Sequence, residues 1–326
     1  MESKSKTPGP TIQDVEPPRA ELAADYEVAL VSLNQWQLAW RRFRRHKLAM
    51  VGTGLFLAMC AVAIFGPFLL PYEPLPPPPQ PCPGLSFMDS YRGCPPMTAG
   101  HLLGTTGSLQ RDVLTLVVNG ARLSLLIGVG ASVFAAFIGA IVGGIAGYFG
   151  GLVDNLLMRI VDVLLSLPIL FVILLLAKVF GHGNWLPILV VFAALGWMGI
   201  ARLVRSLFLS LRTEAFVDAA RVVGVSDIRI IFRHILPNAM SPVIVATTLS
   251  VAGVIIGEAF VSYLGFGVDM LYQPTWGNVL SNAQNFLTQG NWWWPLFPGL
   301  AIVVTVLGIN FMGDGLRDAL DPRSRE

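Results

Sequence analysis

Charge is scarce in this chain: Asp, Glu, Lys and Arg together make up 13% of its 326 residues, while 54% are hydrophobic. That balance, with a positive mean hydropathy, excludes an ordinary soluble globular domain and indicates an integral membrane protein. Lysine is rarer still, at positions 4, 6, 47 and 178 alone. None follows the glycines of a phosphate-cradling loop, so the chain cannot hold nucleotide phosphates in that way. The four histidines, His46, His101, His182 and His234, form no HExxH pair, and no GxSxG elbow occurs. Both gaps count against a membrane hydrolase, and no metal site is read from the sequence. No apolar run lies within the first 31 residues, which excludes a signal peptide there.

The net charge of +2 says little, but its placement is informative. Lys4, Lys6, Arg19, Arg41, Arg42, Arg44, Arg45 and Lys47 precede the first apolar run. Arg202, Arg205, Arg212, Arg221, Arg229 and Arg233 cluster near the middle, and Arg317, Arg323 and Arg325 end the chain. The intervening segments on the other side hold Arg92, Arg111 and Arg122. The excess of cations on cytoplasmic loops places both termini and the central basic stretch inside.

Six apolar runs are long enough to cross a hydrocarbon core of ~30 Å at 1.5 Å per residue. They cover 48–70, 123–147, 155–180, 185–203, 239–266 and 295–316. The expected fold is therefore an all-α polytopic membrane protein. Residues 1–47 form a Pro- and acid-rich tail followed from Leu33 by either an interfacial helix or a plain charged flank. Residues 71–118 lie outside, with a stiff proline run at Pro74, Pro76 to Pro79 and Pro81. Residues 119–318 are the core and 319–326 a short inner tail. Cys82 and Cys94, close together on the oxidising side, favour a disulfide, whereas Cys60 falls inside the first span. Gly139, Gly143 and Gly147 recur every four residues, a stripe that permits close helix packing, and Gly253 and Gly257 repeat the spacing. Asp154, Arg159 and Asp162 sit at the inner end of the third run. Arg159 and Asp162, three apart on a helix, are expected to pair. Glu258, ~27 Å along the fifth span by helical rise, is placed near the outer surface. Trp292, Trp293 and Trp294 are read as an interfacial belt.

The stretch Thr213 to Asn238 carries Asp218, Arg221, Asp227, Arg229 and Arg233 between membrane spans, so it must lie outside the hydrocarbon. Ile228, Ile231, Phe232 and Ile235 fall at i, i+3, i+4 and i+7, which predicts an amphipathic helix with Ser226 or Asp227 as its cap. Glu214 to Val223 predicts a second short helix exposing Ala219 and Ala220. Gly224 between the two suits a chain reversal, and Pro237 suits the first turn of the next span. A basic helix resting on anionic lipid would not require these intervals.

These residues carry a resemblance. Asp218-Ala219-Ala220, three residues, Gly224, then Leu236-Pro237 resembles the "EAA" loop of ABC importer permeases, with Asp218 where the general pattern has Glu and His234 where it has Ile. The His-Ile-Leu-Pro form, the stretch His101 to Arg122 and the ending GDGLRDALDPR from Gly313 are similar to the C-type subunit of oligopeptide and dipeptide permeases. The resemblance implies a type I ABC importer permease fold in a bacterial cytoplasmic membrane. It also implies a second homologous permease, cytoplasmic ATPases that hold ATP and Mg and dock on the loop, and an extracytoplasmic peptide-binding protein. No cofactor is expected on this chain itself, and no nucleic acid. Two other readings stay open: a nickel importer of the same permease type, and a proton-driven transporter using Asp154, Asp162 or Glu258.

Overall fold

The computed structural model describes residues 35–73, 82, 93–98, 100–107, 109–180 and 183–321. The tail through Val31, the proline run and Arg323 to Arg325 lie outside the described residues. Among the described residues the regular structure is helical throughout, with three isolated bridges and no strand. Ten helices are named here: α1 Gln35–Arg45, α2 Lys47–Leu69, α3 Val113–Phe149, α4 Gly151–Ser166, α5 Ile169–Phe180, α6 Trp185–Leu211, α7 Ala215–Val222, α8 Asp227–Tyr263, α9 Trp276–Leu287 and α10 Trp293–Leu320. Five of them, α2, α3, α6, α8 and α10, are each long and apolar enough to cross a bilayer, and the bent pair α4 and α5, counted as one broken span, brings the number to six.

The bend in that pair corrects the sequence expectation of one continuous helix over 155–180. The chain turns by 83° between α4 and α5, at Leu167 and Pro168. A proline has no N–H to donate and forces its predecessor out of the helical region, and Leu167 is extended at ψ 140. Other helices overrun the boundaries read from hydropathy. α3 begins at Val113, ten residues early, because Asp112 caps it by accepting the Thr115 backbone N–H at 2.7 Å. α6 runs on to Leu211, which brings Arg202 and Arg205 onto the bundle.

The glycine stripe on α3 lies against α6. A Cβ at Gly139, Gly143 or Gly147 would stand 2.8, 2.3 or 2.6 Å from Trp197 O, Ala201 O or Phe208 Cβ. Only hydrogen at these positions lets the two backbones approach so closely. The second pair of glycines behaves differently: Gly257 faces Phe192, but around Gly253 nothing lies within 4 Å.

At one end of the bundle, Cys82 and Cys94 are joined by a disulfide. Tyr72 fastens the same region, its hydroxyl donating to Met270 O at 2.5 Å and accepting from Arg111 at 2.7 Å. Burial pushes the Tyr72 phenol up, against the opposing pull of Arg111. The segment read as an outer loop contains α9, opened by a capping box between Thr275 and Asn278. Trp293 and Trp294 are buried against this layer, and only Trp292 is exposed, so the tryptophans do not form a belt together. At the opposite end, α1 is a helix docked on the end of α10 rather than a plain flank. Phe43 packs with Ala49 and Ala319, Arg42 donates to Asp321 O at 3.3 Å, and His46 faces Asp318 at 3.6 Å.

Candidate coupling loop and its attachments

The loop Thr213 to Asn238 folds as two arms. The first, α7, opens at Glu214 and closes at Val223; the second is the start of α8. Gly224 links them at φ +79, a conformation that side chains with a Cβ resist, and the space around it is open. The second arm is not a plain α-helix. Ile230–Ile235 form a π-helical segment, after which α8 continues regularly from Leu236. Its i to i+5 bonding brings Ile230 and Ile235, five apart, onto one buried face.

The π segment corrects the amphipathic reading. The stripe Ile228, Ile231, Phe232, Ile235 is split: Ile235 is enclosed, Ile231 is half-buried, and Ile228 and Phe232 are 71% and 60% exposed. They share the outer side of the loop with Val222 and Val223, at 88% and 81% exposed. Beneath, Val217, Ala220, Ile230 and Ile235 pack on Tyr148, Val204 and Phe208 from the spans. Ala220 is therefore an inward residue; of the alanine pair only Ala219 is exposed. Asp218 lies on the surface and accepts from Arg221 at 3.2 Å. Leu236 and Pro237 stand where the π segment gives way to regular α-helix, Pro237 in the first turn of the latter. Ser226 makes no side-chain cap, and Asp227 is used elsewhere, accepting the Tyr148 hydroxyl at 2.5 Å.

The pairing of Arg159 with Asp162 is not formed. Asp162 instead accepts from Arg202 at 2.5 Å, and Asp154 holds Arg205 through both carboxylate oxygens, the Nη2 bond at 2.6 Å. A neighbour three residues along the same helix competes poorly with guanidinium groups presented by the adjacent α6. Arg159 lines the same cavity of about 560 Å³ with Asn155, Met158, Asp162, Arg202 and Arg205. Glu258, read as near the outer surface, is fully enclosed. It accepts from Ser262 at 2.7 Å and Ser124 at 3.4 Å. Because Ser124 also accepts the Trp276 backbone N–H at 3.1 Å, this cluster joins α3, α8 and the start of α9. His101, read as a loop residue, lies 3.0 Å from the capping Asp112.

Sequence reasoning missed the tyrosine contact and the two cross-helix ion pairs. The basic residues of α6 and the acids of α4 were both visible, but the spacing that joins them lies between helices and not along one.

The arrangement defines a polytopic helical membrane protein with a protruding, apolar-tipped loop on one side. Residues 139–326 match the binding-protein-dependent transport system inner membrane component family, and residues 34–80 match the N-terminal TM domain of oligopeptide transport permease C. The chain belongs to the binding-protein-dependent transport system inner membrane component family. It is 39% identical over 294 residues to the dipeptide transport system permease protein DppC of Bacillus subtilis, covering 90% of this chain and 88% of that one. It is 37% identical to the oligopeptide transport system permease protein OppC of the same organism, covering 95% and 97%. Against OppC of Escherichia coli the identity is 38%, covering 89% and 92%. A solved structure of the MetNI methionine ABC transporter in inward-facing conformations shares the fold, with a TM-score of 0.50 and 19% identity over 63% of this chain and 96% of that one.

Proposed function

We propose that this chain is the C-type permease subunit of an ATP-driven importer of oligopeptides or dipeptides. It would form the pathway with a second, homologous permease, receive cargo from an extracytoplasmic binding protein, and take its work from cytoplasmic ATPases that supply ATP and Mg. Both termini and the loop 213–238 would lie in the cytoplasm, consistent with the placement of the arginines. The peptide cargo is supported by relatives named as dipeptide and oligopeptide permeases over nine-tenths of the chain.

The single observation that carries the coupling role is the two-sidedness of the loop. Its inner side is welded to the spans through Val217, Ile230 and Ile235, while Val222, Val223, Ile228 and Phe232 face away with nothing over them. Exposed apolar groups on an otherwise charged protrusion mark a protein-binding surface. A motor that closes on nucleotide can move the helices only through a handle attached in this way. The alternative acid groups already have partners, Asp154 and Asp162 in Arg205 and Arg202 and Glu258 in its hydroxyls. No observation favours nickel.

Gly224→Asp tests the reading. The site has room for a side chain, so the protein should remain in the membrane. The variant carries both backbone strain and a charge into the docking surface, and peptide uptake should be abolished. Normal uptake by that variant would contradict the docking role.

A further inference from the structure

Three elements converge on one side chain at the inner end of α3. The Tyr148 hydroxyl donates to Asp227 at 2.5 Å, on the second arm of the loop. The Arg221 guanidinium, from the first arm, stands 5.8 Å from the centre of the Tyr148 ring, within the range of a cation–π contact. Arg212, at the end of α6, donates to the Tyr148 backbone oxygen at 3.1 Å. Tyr148 itself is buried among Val204, Phe208, Val217 and Ile230.

The chain turns a corner immediately after Tyr148, and the turn gives the contact its consequence. Phe149 ends α3, and Gly150 and Gly151 come next with φ of +65 and +55, a corner that opens directly into α4. α4 is held to α6 by the ion pairs Asp154–Arg205 and Asp162–Arg202 and by Met158 and Val161 packed with Met198, and at its far end it turns by 83° into α5. A displacement of the loop therefore has a short mechanical route: from Asp227 and Arg221 to Tyr148, across the glycine corner, and along α4.

We propose that Tyr148 is the positioning residue through which movement of the coupling loop reaches the α3–α4 corner and so opens and closes the pathway. Its hydroxyl bond to Asp227 is the tie that makes the loop and the corner move as one body. Without the hydroxyl, the ring still fills its pocket and the loop still presents its outer side, but loop and corner can separate. This inference rests on the coupling role proposed for the loop.

The test uses the complete importer, with its second permease, ATPases and binding protein, reconstituted in liposomes. Tyr148→Phe removes one oxygen and leaves the packing. The complex should assemble in normal amount and hydrolyse ATP at its basal rate, while peptide moved per ATP falls by about tenfold, the scale of one hydrogen bond to a charged group. Asp227→Ala should show the same defect, and the double variant should be no worse than either single one. Asp227→Asn, which still offers an oxygen to the phenol, should restore most of the coupling. An unchanged ratio in Tyr148→Phe, additive losses in the double variant, or failure of Tyr148→Phe to assemble would each overturn the proposal. Failure of the unaltered complex to import peptide at the expense of ATP would instead overturn the proposed function.

Discussion

Single atoms decide whether the spans close on one another. At Gly143 an added Cβ would stand 2.3 Å from the Ala201 carbonyl oxygen, a backbone atom that cannot swing aside. Gly143→Leu should therefore force α3 and α6 apart and destabilise the bundle by at least about 3 kcal/mol. At Gly253 nothing lies within 4 Å, and Gly253→Ala should be neutral or gain up to about 1 kcal/mol from helix propensity. Thermal denaturation of the two purified variants in detergent checks the contrast, and equal melting behaviour would show that the stripe is not a seam. Ionic contacts divide in the same manner. Asp154 is buried and grips Arg205 with both oxygens, whereas Asp162 and Arg202 are both half-exposed. Asp154→Asn leaves a guanidinium short of its partner and should cost about 2 kcal/mol, discounted for the third of Arg205 that remains in contact with solvent. Asp162→Asn should cost under about 1 kcal/mol. Equal losses measured by the same denaturation would mean that the two pairs are equivalent anchors of α4.

At the scale of helices, the sequence disclosed what periodicity and length can carry. Runs of apolar residues located every span because a bilayer imposes a minimum length on each. The Gly139, Gly143, Gly147 repeat indicated close packing, though not the partner. What stayed hidden depended on contacts between segments. The stripe of Ile228, Ile231, Phe232 and Ile235 fits an α-helix, yet the chain here is wound as a π segment that buries Ile230 with Ile235 and turns Ile228 and Phe232 outward. Pro168 was in view, but hydropathy is blind to direction, and a span bent by 83° has the same average as a straight one. α9 escaped because twelve residues with four amides and few aliphatics carry no strong signal until Thr275 and Asn278 are seen to cap each other. The turn at Gly224 and the helix start at Leu236 and Pro237 were legible because a turn and a helix start have chemical requirements of their own. Tyr148 was not, since its role is fixed by groups sixty or more residues away.

For the whole molecule, the two ends of the bundle are chemically unlike, and this makes its orientation measurable. One end carries the Cys82–Cys94 disulfide, the tie from Tyr72 to Met270 and the buried tryptophans. The other carries α1, the end of α10 and the loop whose apolar tip is exposed. Met97, 83% exposed, belongs to the first end, and Val222 to the second. In a background with Cys60 replaced by serine, Met97→Cys should react in intact cells with a thiol reagent that cannot cross the membrane. Val222→Cys should react only after the membrane is opened, because its arm of the loop lies with the arginine-rich side. Addition of the ATPase subunits should then protect Val222→Cys and leave Met97→Cys untouched. Labelling of Val222→Cys from outside would invert the orientation and with it the coupling role. Labelling from inside without protection would keep the orientation and place the docking surface elsewhere. Outside access at 97, inside access at 222 and protection by the ATPases would fix where the motor binds; driving the spans requires in addition the attachment through Tyr148, because a surface that binds a motor without a fixed attachment to the helices could be covered and still move nothing.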